Sequence, residues 1–222
     1  MLKKLPNILT MLRIFLIPFF VIFFFIPTSW SNLVAAIIFV IACITDWLDG
    51  YLARKLQVCS RFGAFLDPVA DKIMVCTALV LLVHFFTAYA TASSGIVAVQ
   101  MSALGRNVVS YIVLFSATVI ISREIVISAL REWMAEIGSR SKVAVSWIGK
   151  WKTAIQMVGI TGLIWRDNSI PDLFPNWMVY CASGVLLIAT CLTIWSMIDY
   201  LHSGFANEAN NNVNVSTENS DN

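Results

Sequence analysis

Four aspartates stand in two linked clusters. Asp46-Trp47-Leu48-Asp49-Gly50-Tyr51-Leu52-Ala53-Arg54 is followed, after eight residues, by Gly63-Ala64-Phe65-Leu66-Asp67-Pro68-Val69-Ala70-Asp71. Both clusters lie within or against apolar runs, where an ionised carboxylate is costly and by default marks a working group. Asp46, Asp49, Gly50 and Ala53 are three or four residues apart and so share one helix face. Gly63, Asp67 and Asp71 are four apart and share another. Four like charges in a low dielectric need either protons or a cation to coexist. Oxygen-only donors suit Mg²⁺, Mn²⁺ or Ca²⁺ rather than zinc or copper. Magnesium commonly completes its shell with substrate phosphates, which makes a pyrophosphate-bearing substrate a natural partner. Gly50, Ala53 and Gly63 leave room for a ligand close to the backbone, although small residues also serve close helix packing. A proton or ion relay is the competing use of such carboxylates.

A second constellation is basic. In Ser122-Arg123-Glu124-Ile125-Val126-Ile127-Ser128-Ala129-Leu130-Arg131-Glu132, Glu124, Ser128 and Arg131 share a helix face. Arg123 lies deeper in the apolar run, where a lone charge needs a partner. Lys142, Lys150 and Lys152 follow. The group suits a ligand that carries a phosphate. Its plainer use is ordinary loop charge plus a helix ion pair. At the N-terminus, Asn7 is a helix-cap type. Arg13, nearly two turns further in, is only partly explained by snorkelling toward an interface. His84 and His202 sit near helix ends, and Gln156 reads as an interhelical hydrogen bonder.

The elements that must position these groups are membrane helices. The chain has 222 residues, 59% hydrophobic and 13% charged, with mean hydropathy +0.79. A soluble domain carries about 25% charge. The net charge of +2 gives no basis for nucleic-acid binding. The five cysteines, Cys43, Cys59, Cys76, Cys181 and Cys191, are odd in number and form no CxxC, so neither a disulfide framework nor a zinc site is expected. Apolar runs predict an all-α, polytopic membrane protein with six spans, over residues 7–25, 30–55, 63–89, 108–133, 146–165 and 177–202. The first run continues to Phe25 with no small-residue cleavage site after it, so it reads as a retained span. Lys3, Lys4, Arg54, Lys55, Arg61, Arg131, Arg140, Lys142, Lys150 and Lys152 fall on one side of these spans, and Arg106 and Arg166 on the other. The positive-inside rule then puts both termini, and the segment joining the two aspartate helices, in the cytoplasm. That short connection predicts antiparallel neighbours whose carboxylates meet about 12–15 Å from it. Residues 87–107 read as a long loop, a re-entrant piece or helix extension. The membrane domain is expected over residues 1–203, with a disordered Asn-rich tail over 204–222.

The pattern D-x2-D-G-x2-A-R-x8-G-x3-D-x3-D resembles the signature of the CDP-alcohol phosphotransferase family, with every element present. The resemblance covers roughly residues 5–202. It implies transfer of a phosphatidyl group from CDP-diacylglycerol to an alcohol, with Mg²⁺ or Mn²⁺ held by Asp46, Asp49 and Asp67. Asp71 would contribute to the metal and act as general base. Gly50, Ala53, Arg54 and Gly63, with Asn7 and Thr10 of the first span, would lie near the cytidine diphosphate. The Ser122–Glu132 stretch resembles family members that take glycerol 3-phosphate. That resemblance points to Arg123, Arg131, Lys142 and Lys150 as holders of the acceptor phosphate. It further implies a homodimer in a bacterial inner membrane, with the active site facing the cytoplasm. Serine or inositol phosphate as acceptor, and an ion-coupled transporter, are the alternatives.

Overall fold

The computed structural model describes residues 5–28, 30–56, 61–91, 102–136, 147–165 and 177–218. Six helices account for nearly all of them: α1 (Leu5–Phe25), α2 (Ser31–Leu56), α3 (Arg61–Thr91), α4 (Ala103–Glu136), α5 (Trp147–Ile164) and α6 (Trp177–Glu218). The all-α expectation holds. Five of the six are long and apolar enough to cross a membrane. The exception is α5, which has 18 residues and carries Lys150, Lys152 and Gln156 in its first three turns. Its cationic start is what separates it from the other five.

The apolar residues divide between a core and an outer face. Phe20, Phe39, Leu79, Leu82, Ile120 and Leu186 are fully buried. Phe15, Ile22, Ile44, Phe115, Ile188 and Trp195 point outward on the same helices. An apolar exterior spread over several helices is stable in lipid and not in water, as expected of a multi-pass membrane protein. Buried hydroxyls return their protons to their own helices: Thr190 donates to the Leu186 carbonyl at 2.8 Å and Thr193 to that of Ala189 at 2.7 Å.

Packing follows small residues. α5 lies closely along α6. A Cβ built on Gly159 would meet the Leu186 backbone nitrogen at 3.0 Å, and one on Gly162 the Ala182 Cβ at 2.9 Å. The absence of those two side chains is what permits this approach, since dispersion between close backbones drives helix association in lipid.

One expectation needs adjustment, and two segments take a definite form. α2 and α3 were expected to be direct neighbours, yet α1 packs against both while they touch each other far less. The reason is chemical as well as steric: α1 brings Arg13 to the aspartates of α2. Within residues 87–107, α3 runs on to Thr91 and α4 begins at Ala103, so helix extension accounts for the described part. α6 itself continues to Glu218, past the start of the Asn-rich segment at residue 204. A helix already nucleated by its span adds residues at small cost, and no proline interrupts this one.

Candidate active site

The first carboxylate cluster is partly neutralised from α1. Arg13, 1% exposed, places Nη1 2.8 Å from Asp46 Oδ1 and donates from Nη2 to Asp49 Oδ2 at 3.0 Å. Asp46 and Asp49 are three residues apart on α2, so one guanidinium fork reaches both. Their surroundings differ. The Asp49 side chain is 4% exposed and that of Asp46 is 42% exposed. Asp46 thus faces open space while Asp49 sits inside.

Two cavities meet at Asp71. The larger, about 880 Å³, runs between α2 and α5 and is mostly apolar. Val40, Cys43, Ile44, Met157 and Val158 form its walls, with Asp46 and Asp71 among its polar groups. The smaller, about 230 Å³, is lined by Asp71, Lys72, Arg123, Glu124, Arg131 and Lys152. Asp71, Thr153 and Met157 line both. A carboxylate therefore stands where an apolar groove opens onto a basic pocket.

The basic pocket has internal order. Arg123 is buried and pairs with Glu124 through Nη1–Oε1 at 2.6 Å. Lys72 of α3 donates to the Ser128 hydroxyl of α4, which donates in turn to the Glu124 carbonyl at 2.5 Å. Lys152 is 2% exposed, and its Nζ has no hydrogen-bond partner among the described residues. Arg123 Nε is likewise buried without one. A buried ammonium without a partner is expensive, and here it borders a pocket large enough for a small anion.

Several expected site residues can be placed only by their backbone. Asn7, Gly50, Ala53, Arg54, Gly63 and Asp67 all lie within α1, α2 or α3, at or near the end that carries the carboxylates. Asp67 is one turn before Asp71. Their side chains lie outside the described residues, as does that of Lys150 within α5 and the whole of Lys142. Thr10, one turn from Arg13, is fully buried. Among the described residues no three carboxylate, thiol or imidazole side chains come together as a metal-binding group. Asp67, the remaining member of the pattern, falls outside that set. The carboxylate donors suit a hard divalent cation, and Arg13 shows that Asp46 and Asp49 already hold positive charge between them.

One group escaped the sequence reading, and two others were named there without their partners or placement. Lys72 follows Asp71 directly and reads as an incidental charge until α4 is seen beside it. Lys152 stands in the sequence with Lys142 and Lys150 as part of a phosphate-suited group, and nothing in that grouping says that it is buried. Its spacing of four from Gln156 was the available sign that both share the inward face of α5. Arg13 was noted as deep but without a partner, because nothing in sequence links it to residues 33 and 36 positions away.

The family model for CDP-alcohol phosphatidyltransferase matches residues 3–195. The chain belongs to this family. Curated relatives carry the name CDP-diacylglycerol–glycerol-3-phosphate 3-phosphatidyltransferase. The protein from Haemophilus influenzae is 52% identical over 199 residues, covering 89% of this chain and 91% of the relative. That from Escherichia coli K12 is 45% identical over 203 residues, covering 91% and 96%. That from Salmonella paratyphi A is 46% identical over 198 residues, covering 89% and 93%.

Proposed function

We infer that this chain transfers the phosphatidyl group of CDP-diacylglycerol to glycerol 3-phosphate, forming phosphatidylglycerophosphate and releasing CMP. The reading is supported by relatives of 45–52% identity over most of both chains. The structural observation that carries it is Asp71, which lines both the apolar groove and the basic pocket.

The groove suits the acyl chains of a lipid donor, and Asp46 at its wall supports a diphosphate beside it. The basic pocket suits the phosphate of the acceptor, held by Arg123, Arg131 and Lys152, with Lys72 alongside; the family resemblance adds Lys142 and Lys150 to this role. Asp71 between them takes the proton of the acceptor hydroxyl. The freed oxygen attacks the phosphorus that bears diacylglycerol, and the bond from that phosphorus to CMP breaks, its electron pair leaving with CMP. Mg²⁺ or Mn²⁺, held by Asp46, Asp49, Asp67 and Asp71, would neutralise the diphosphate oxygens and the charge on departing CMP. Asn7, Thr10, Gly50, Ala53, Arg54 and Gly63 form the cytidine end. The charge pattern supports an inner-membrane enzyme with both termini and the site facing the cytoplasm, α5 completing six spans. Pairing of two chains as a homodimer belongs to the same reading.

The test is CMP release by detergent-purified protein given CDP-diacylglycerol and Mg²⁺ or Mn²⁺. Release that requires glycerol 3-phosphate, with phosphatidylglycerophosphate formed, is expected. Release with serine or inositol phosphate instead would overturn the acceptor and keep the donor. Silence with every acceptor, from folded protein, would favour ion transport.

A further inference from the structure

Arg13 has no part in the transfer just described, yet it is among the largest fully buried side chains of the molecule. Its two contacts are unlike. Toward Asp49 it makes a directed hydrogen bond at 3.0 Å, with both groups buried. Toward Asp46 the distance is 2.8 Å, but Nη1 is not aligned for a hydrogen bond. That contact is an ion pair by proximity alone, and its carboxylate is the exposed one. A directed, buried bond resists exchange. An undirected pair to a carboxylate at a cavity wall exchanges readily, because Asp46 can turn to another cation while Arg13 stays on Asp49.

We propose that Arg13 is the resident counter-cation of the metal site: it anchors Asp49, shares Asp46 with the incoming divalent ion, and thereby sets how tightly that ion binds. The inference rests on the metal-carboxylate reading above. Two consequences follow from electrostatics. A fixed positive charge beside the ligands weakens binding of a dication, so its removal tightens binding. The same charge stabilises the metal-free protein, since its removal costs buried Asp49 a charge-assisted hydrogen bond. A helix staple without influence on the ion has the second consequence and not the first.

The experiment counts free Mn²⁺ by electron paramagnetic resonance during titration of detergent-purified protein, without lipid or acceptor, alongside thermal unfolding. Wild type, Arg13→Gln, Arg13→Lys and Asp46→Asn are compared. Arg13→Gln is expected to bind Mn²⁺ about tenfold more tightly than wild type, within the usual range of coupling between sites. Its metal-free Tm should fall, and Mn²⁺ should raise that Tm by more than it raises the wild type's. Arg13→Lys, which keeps the charge but grips one carboxylate at a time, should bind a few-fold more tightly than wild type. If Arg13→Gln does not fold without metal, Arg13→Lys decides. Wild-type affinity in the folded Arg13 variants, with binding lost in Asp46→Asn, would overturn the proposal and leave the metal reading standing. Equal binding by wild type and Asp46→Asn would remove the metal reading and the proposal with it.

Discussion

The Cys43 thiol on α2 lies 3.5 Å from the Met157 thioether on α5, joining the two helices across the wall of the larger cavity. Both side chains are soft, and neither carries charge, as a groove for acyl chains requires. Cys43 is one turn from Asp46, so bulk added there reaches the space beside the diphosphate.

Cys43→Phe is therefore expected to raise the KM for CDP-diacylglycerol about tenfold, equivalent to ~1.4 kcal/mol of lost donor binding. The KM for glycerol 3-phosphate should hardly change. Steady-state kinetics in mixed micelles, with each substrate varied in turn, separates the two. An equal rise in both constants would mean that the groove does not hold the donor.

Asp71→Asn keeps the size of the side chain and removes its ability to accept the proton. Loss of a general base costs about 10²–10⁴-fold in kcat, and a fall of at least that size is expected. Binding of CDP-diacylglycerol, read by its stabilisation of the protein to heat, should persist. Full turnover in this variant would reject the assignment of the base.

Lys152→Met should separate stability from function. The buried ammonium has no hydrogen-bond partner among the described residues, so an apolar side chain of similar length relieves a desolvation cost. The Tm of the acceptor-free protein should rise. The KM for glycerol 3-phosphate should rise by about tenfold to a hundredfold, since a charge-assisted hydrogen bond contributes ~1.5–3 kcal/mol. Arg123→Ala should shift the same KM without the gain in Tm, because it leaves Glu124 without its partner. A Lys152→Met enzyme with an unchanged acceptor KM would take this lysine out of the phosphate pocket.

Gly159→Val tests what holds α5 in place. A Cβ at this position already meets the Leu186 backbone at 3.0–3.1 Å, and backbone cannot move aside as a flexible side chain does. Overpacking of this kind costs about 1–3 kcal/mol. The Tm in detergent should fall, and activity should fall with it, because α5 carries Lys152 and the wall of the groove. Wild-type Tm would show that α5 and α6 do not depend on this contact.

Much of this protein was legible from the chain alone. Helical class, the apolar exterior and the aspartate pattern all depend on local quantities: run length, composition and a repeat of three or four residues. Asp46 and Asp49 had to share a face because any α-helix puts them there. Deep charges in an apolar run had to be functional or paired because lipid cannot solvate them. What the tertiary structure decided was which elements meet. That α1 and not α3 is the close neighbour of α2, that Arg13 reaches both aspartates, and that Lys152 and Lys72 join Arg123 around one pocket all depend on side-chain packing between segments far apart in sequence. Spacing within a helix does not encode those pairings. The position of Asp71 between groove and pocket is of the same kind, since a cavity belongs to several helices at once and has no signature in any one of them.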